Sequence, residues 1–145
     1  MSKSAQRRSP IRQIENMFTL AQIREAHARV KSGADFPAYI REIRKLGVSG
    51  YETWVYDGHN TYFGNEGFTL SSPPLFPSMP VAPKVDRDQF IKILKLHQQG
   101  GSDYPTFCRQ CGETGIERWV VNIINMTCTY FDKSGEPILI EDIPH

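Results

Sequence analysis

Three groups of residues have the types and spacing to carry chemistry. Cys108-Arg-Gln-Cys111 is a Cys-x-x-Cys pair, with Cys128 downstream. Thiolates so spaced can hold zinc or cycle as a dithiol. Glu52-Thr-Trp54 and Glu117-Arg-Trp119 each set a carboxylate two residues before an indole. On a strand, residues i and i+2 point to one side, so each pair offers an acid beside a stacking surface. Were both pairs to meet in one cleft, the carboxylates could do general acid–base work and the indoles could stack on a sugar or base. Asp57-Gly58-His59-Asn60 places an acid and a histidine on one turn, a proton-transfer pairing.

Each group also has an architectural reading. A zinc site needs about four ligands, and neither a second Cys-x-x-Cys nor a His-x-x-x-His is present; His97 has no standard spacing to the cysteines. A redox pair usually opens a helix, whereas Asp103 is the expected N-cap here and puts Cys108 beyond the first turn. Buried free cysteine packs as a small apolar residue, and that is the reading adopted for Cys108, Cys111 and Cys128. Recurrence of the Glu–Trp pairs favours a structural role. Asp, Gly and Asn also suit the backbone of a turn. Arg41 and Arg109 recur together, as an anion site or as helix-surface charges. His27 and His97 fall on expected helices. The candidate ligand-binding residues are therefore Glu52, Trp54, Glu117, Trp119, Asp57 and His59, with no cofactor or metal implied.

The elements that position these residues come twice. Gly33-Ala-Asp-Phe-Pro-Ala-Tyr-Ile-Arg41 matches Gly101-Ser-Asp-Tyr-Pro-Thr-Phe-Cys-Arg109 at an offset of 68. Gly47-Val48 matches Gly115-Ile116, and Thr61-Tyr-Phe63 matches Thr129-Tyr-Phe131, at the same offset. The Glu–Trp pairs match at 65, as if the first copy held three extra residues. Roughly 12 of about 27 compared positions are identical, against about two for unrelated segments. Cys108 and Cys111 fall opposite Ile40 and Ile43, which supports packing.

Local signals agree. Thr19 and Gln22 form a capping box with Phe18 and Ile23 as its staple, and Asp86, Gln89, Val85 and Phe90 repeat the arrangement. Asp35 and Asp103 are expected N-caps, each followed by a proline in the first turn. Ser32-Gly33, Gly47, Gly100-Gly101 and Gly115 stop helices. Strands are expected over 51–56, 61–63, 68–71, 117–123, 126–131 and 137–143. The fold class is thus α+β: two layers, an internal duplication of a helix–helix–strand–strand–strand unit, an antiparallel sheet and helices on one face. The repeats span 17–71 and 85–145, and the prolines of 72–84 make a stiff connector. A half of this size buries little core, so the two are expected to form one domain.

The 145 residues match one domain, and the net charge is +1. Lys3, Arg7, Arg8 and Arg12 outweigh Glu15, so residues 1–16 read as a disordered basic tail and Met17 as a plausible natural start. The remainder has no basic excess, which argues against nucleic acid except through that arm. No apolar run would span a bilayer, no secretory signal is legible, and three cysteines give no disulfide framework. A reducing cytoplasm fits.

Met-Phe-Thr-Leu at 17–20, Val-Lys-Ser-Gly-Ala-Asp-Phe-Pro at 30–37, Leu-Gly-Val-Ser-Gly-Tyr-Glu-Thr at 46–53 and Asp-Tyr-Pro-Thr-Phe-Cys at 103–108 carry a family resemblance. Nearly everything from Met17 onward resembles the YdfO/YbcV-like family of small bacterial and prophage-encoded proteins of unknown function, some labelled phage envelope proteins. The resemblance implies an α+β fold and a prophage origin, and brings no catalytic residues with it. The expected function is a non-catalytic interaction or regulatory protein with a host or phage partner. The alternatives are a small-molecule site or enzyme between the repeats, and nucleic-acid binding through the basic arm.

Overall fold

The computed structural model describes residues 17–31 and 33–144. The expected basic tail and Ser32 of the first helix stop lie outside the described residues. The chain runs α1 (Leu20–His27), α2 (Phe36–Lys45), β1 (Gly50–Trp54), β2 (Asn60–Phe63), β3 (Thr69–Ser71), α3 (Arg87–Gln98), α4 (Tyr104–Glu113), β4 (Ile116–Asn122), β5 (Thr127–Asp132) and β6 (Pro137–Asp142).

Capping residues start three of the four described helices as expected. At α1, Gln22 N donates to Thr19 Oγ1 at 3.2 Å and Thr19 N donates to Gln22 Oε1 at 2.8 Å, closing the capping box. At α3, Asp86 accepts from Gln89 N, and at α4, Asp103 accepts from Thr106 N. Asp35 stands at the N-cap of α2 as expected, but without the side-chain cap. It ends a short 3-10 turn (Gly33–Asp35), has helical backbone angles and makes no side-chain cap; its carboxylate instead accepts from Lys31 N at 2.9 Å. The tighter turn has already engaged the residue before the helix opens.

The strands form one antiparallel sheet in the order β3-β2-β1-β4-β5-β6. Its centre is the β1–β4 pair, with Gly50 opposite Asn122, Glu52 opposite Val120 and Trp54 opposite Arg118. The pairing continues past the strand ends: Val55 N donates to Glu117 O and Ile123 N donates to Ser49 O, each at 3.0 Å. Registers recur along the chain. Gly50 pairs with Phe63 in β1–β2, and Arg118 pairs with Phe131 in β4–β5, both members lying 68 residues further on.

Alternation decides the two faces. Tyr51, Thr53 and Val55 from the first half, and Trp119, Val121 and Ile123 from the second, are buried. They meet the helices: Phe107 of α4 lies 5.5 Å from Trp119, and Phe90 of α3 lies 5.0 Å from Tyr130. Phe90, Ile40, Ile43 and Ile116 are wholly enclosed in this layer. The opposite face holds Glu52, Trp54, Thr61, Phe63, Arg118, Val120, Thr129 and Phe131, all partly exposed, and no described helix covers it.

The proline-rich connector is held by its backbone. Leu75 N and Met79 N donate to Asp57 O and Tyr56 O, and Ala82 N and Asp86 N donate to Gly112 O and Thr114 O. It therefore ties the β1–β2 turn to the end of α4.

Gly115 is where this strap presses hardest. It has φ +89°, and a Cβ there would sit 2.5 Å from Lys84 O and 2.6 Å from Val85 Cα. Gly47 has φ +106°, but its nearest neighbour would be Phe18 at 3.9 Å. Gly115→Ala should therefore cost about 3 kcal/mol or more, and Gly47→Ala about 1–2 kcal/mol. Urea unfolding of the two variants, compared with the parent, checks the ranking.

Candidate functional site

The sheet alternation separates residues that the sequence spacing had grouped. Trp54 lies on the uncovered face, stacked on His59 with ring centres 6.4 Å apart and planes 11° apart. Trp119 lies on the helix face, buried among Tyr104, Phe107 and Tyr130. The two indoles do not share a cleft. The matching offset of 65 is the reason: in the sheet, the residue 68 before Trp119 is Tyr51, also buried on the helix face. Glu117 sits where the β4–β5 register shifts between Ile116 and Arg118, so the simple i, i+2 rule does not tie it to Trp119. Its carboxylate has no hydrogen-bond or ion-pair partner among the described residues.

Glu52 and Trp54 do share a face, and what joins them is Arg118, which sequence reasoning missed. Arg118 Nη1 donates to Glu52 Oε2 at 2.9 Å. The same guanidinium lies 4.1 Å over the Phe131 ring and 5.8 Å from that of Trp54. Both charged side chains are about one-fifth exposed (Arg118 22%, Glu52 20%), enough desolvation for the cation–π and ionic contacts to reinforce each other. The available signal was the position of Arg118, opposite Trp54 across the seam and beside Phe131 on β5, which only the strand order reveals.

Asp57 and His59 meet as the turn sequence suggested. His59 Nδ1 lies 2.6 Å from Asp57 Oδ1, which also accepts from His59 N at 3.1 Å. The turn is partly enclosed: Asp57 is buried and Tyr104 Oη donates to Gly58 O at 3.2 Å. The carboxylate therefore both orients the imidazole and holds the turn. Nε2 is left as the ring nitrogen able to exchange a proton.

A family model described as a protein of unknown function (DUF1398) matches residues 24–142. The chain belongs to the DUF1398 family. Uncharacterised proteins of Mycobacterium tuberculosis and Mycobacterium bovis are 29% identical to it over 97 residues, which is 66% of this chain and 59% of theirs. The match thus spans less than two thirds of those relatives' length.

In this DUF1398 chain all three cysteines are free and buried. Burial pushes the Cys108 and Cys128 thiols up to about 12, and Cys111 well above its ordinary value. Among the described residues, no three His, Cys, Asp or Glu side chains are placed to hold a metal ion. No described helix is long and apolar enough to cross a membrane. Arg41 and Arg109 are exposed on their helices, and His27 packs edge-on to Tyr39 at 5.3 Å. The enclosed, protonated thiols of the folded DUF1398 protein should not react with a disulfide reagent at neutral pH, and three should react once urea unfolds it. Rapid labelling of Cys108 or Cys111 in the native protein would contradict this placement.

His97 stacks on Phe107 with centres 4.1 Å apart, and its Nδ1 lies 3.0 Å from both Ser102 O and Ser102 Oγ. Burial lowers its pKa from the ordinary 6.5. As pH falls below that value the unfolded chain takes up this proton first, so stability is full above it and lost as pH drops through the lower folded value. Asp103 and Asp132 are also lowered, from 3.8, so their losses come in more acid solution. The urea midpoint should fall between neutral pH and about pH 5, and His97→Phe should shrink that fall.

Proposed function

We propose that this DUF1398 protein is a non-catalytic interaction protein whose working surface is the uncovered face of its sheet. The observation that carries this reading is the composition of that face. Trp54, Phe63, Val120, Phe131 and the 62%-exposed Ile140 lie on it with a single central ion pair, Arg118–Glu52. A face with aromatic and aliphatic side chains around one charged pair suits protein association. The catalytic alternatives are weaker. Glu52 is neutralised by Arg118, Trp119 belongs to the core, and the thiols are held protonated. Asp57–His59 is the remaining proton-transfer pair, at the edge of the same face.

The single-domain organisation and the duplication belong to this proposal too. The recurrence of capping residues, glycine stops and strand registers at one offset of 68 supports two fused copies of one ancestral unit. Three free buried thiols support a reducing cytoplasm. The resemblance read from the sequence supports a prophage origin and a host or phage partner.

The test is a comparison of variants in a cross-linking capture from bacterial lysate. The parent chain should enrich a specific protein. Phe63→Ser and Ile140→Asp, with unchanged far-UV dichroism, should together lose at least about 90% of it, since the apolar anchors of an interface are worth about 2 kcal/mol or more. Lys92→Glu, on the helix side, should retain it. Capture that ignores the sheet-face variants would sink the proposal.

A further inference from the structure

The net charge of +1 hides an uneven distribution. Residues 1–47 hold ten Lys and Arg against four Asp and Glu, a balance of +6, whereas residues 48–145 hold seven against twelve, a balance of −5. Half of the basic excess lies in the described fold. Residues 17–47, which build α1 and α2, carry Arg24, Arg29, Lys31, Arg41, Arg44 and Lys45 against Glu25, Asp35 and Glu42. Residues 85–115, which build α3 and α4, hold four of each sign.

Packing turns these cations outward. Ile23 and Ala26 of α1 and Tyr39, Ile40 and Ile43 of α2 are the buried positions. Arg24, Lys31, Arg41, Arg44 and Lys45 are all exposed, and among the described residues none has a hydrogen-bond or ion-pair partner for its side chain. Arg29 is paired with Glu42, a contact that holds α1 beside α2. Arg41, Arg44 and Lys45 are spaced i, i+3 and i+4, so they are neighbours on one side of α2. The dipole at the end of α2 favours Arg44 and Lys45 there, but accounts for neither Lys31 nor Arg41.

What this surface lacks narrows its partner. The exposed large apolar side chains among the described residues are Leu75, Leu96, Ile124 and Ile140, none of them on α1 or α2. No Phe, Tyr or Trp of these helices is exposed either. A protein interface needs an apolar centre, a membrane-surface helix needs apolar side chains to insert, and a single strand needs rings on which its bases stack. A duplex backbone needs only cations.

We propose that the α1–α2 surface binds the phosphate backbone of a nucleic-acid duplex without reading its sequence. Arg24, Arg41 and Arg44 donate to phosphate oxygens, and Lys31 and Lys45 add point charges. The acidic remainder of the fold repels the duplex, so α1–α2 is the side that meets it. Trp54 and Phe131 lie on the face that no described helix covers, which makes this site independent of the sheet-face reading.

The test is fluorescence anisotropy of the full-length chain with labelled DNA and RNA duplexes. With Lys3, Arg7, Arg8 and Arg12 of the arm all changed to Gln, affinity should still fall about a hundredfold between about 50 and 200 mM salt, as about four phosphate contacts require. Arg41→Gln with Arg44→Gln should lower the salt slope by about two, while Arg109→Gln on α4 and Phe63→Ser on the sheet face should leave it unchanged. An oligo-glutamate of equal charge has one charge per about 3.4 Å at full extension, against about 1.7 Å for the duplex, and should bind at least about tenfold more weakly. Binding of either duplex in this pattern supports the proposal, and a preference between them names the source of the phosphates. Loss of binding with the arm cations or with Phe63→Ser, or a salt slope indifferent to Arg41 and Arg44, would overturn it. So would tighter binding of a single strand, of oligo-glutamate or of phosphatidylserine vesicles, or no duplex binding at about 50 mM salt.

Discussion

The antiparallel pairing of β1 with β4 is the constraint on which everything else depends. Each half contributes three strands, and a three-stranded sheet backed by two short helices leaves two central edges unpaired. Joining at β1 and β4 satisfies those edges and makes one continuous helix-facing layer from Tyr51 to Tyr130. The pairing also sets the sheet phase at the seam. With Glu52 opposite Val120 and Trp54 opposite Arg118, every side chain of β1 and β4 is assigned to a face, and a one-residue slip would exchange the core for the surface.

The seam explains why the chemistry of this chain is concentrated where it is. Arg118 and Glu52 come from different halves and meet only across it. Trp54 is pinned between that ion pair and His59, and His59 is oriented by Asp57 at the end of β1. The connector then closes the other side of the turn, since Leu75 and Met79 donate to Asp57 O and Tyr56 O. A polar network on the helix side is equally dependent on the sheet. Thr53 Oγ1 donates to Asn60 Oδ1, and Asn60 Nδ2 donates to the Tyr62 hydroxyl, so a buried threonine and a buried tyrosine are both satisfied. The first network joins the two halves through Arg118, whereas the second lies within the β1–β2 hairpin; both depend on the strand register.

Features of short range were legible in the order of residues alone. Thr19, Asp86 and Asp103 cap helices because an oxygen two or three residues from free N–H groups needs no distant partner. Gly47 and Gly115 end helices with positive φ, as their type and position indicated. The element order and the burial of Cys108 and Cys111 followed from periodicity and from the likeness of residues 101–109 to residues 33–41. The errors lay where one residue of phase mattered. Asp35 was drawn into a 3-10 turn. The match of Glu117-Arg-Trp119 to Glu52-Thr-Trp54 was a likeness of letters three residues out of register, so the shared cleft it offered does not form: Trp119 is buried on the helix face and Trp54 lies on the other.

By itself, the sequence determined the α+β class, the order and ends of most elements, the enclosed character of the cysteines and the turn that joins Asp57 to His59. These depend on interactions within a few residues or on hydrophobic period. Only the tertiary structure decided which of the tempting residues stand together. Side chains on a sheet alternate between core and surface, and the phase is set by the partner strand. The Glu–Trp pairs were therefore divided between two faces, and Arg118 was brought to Glu52.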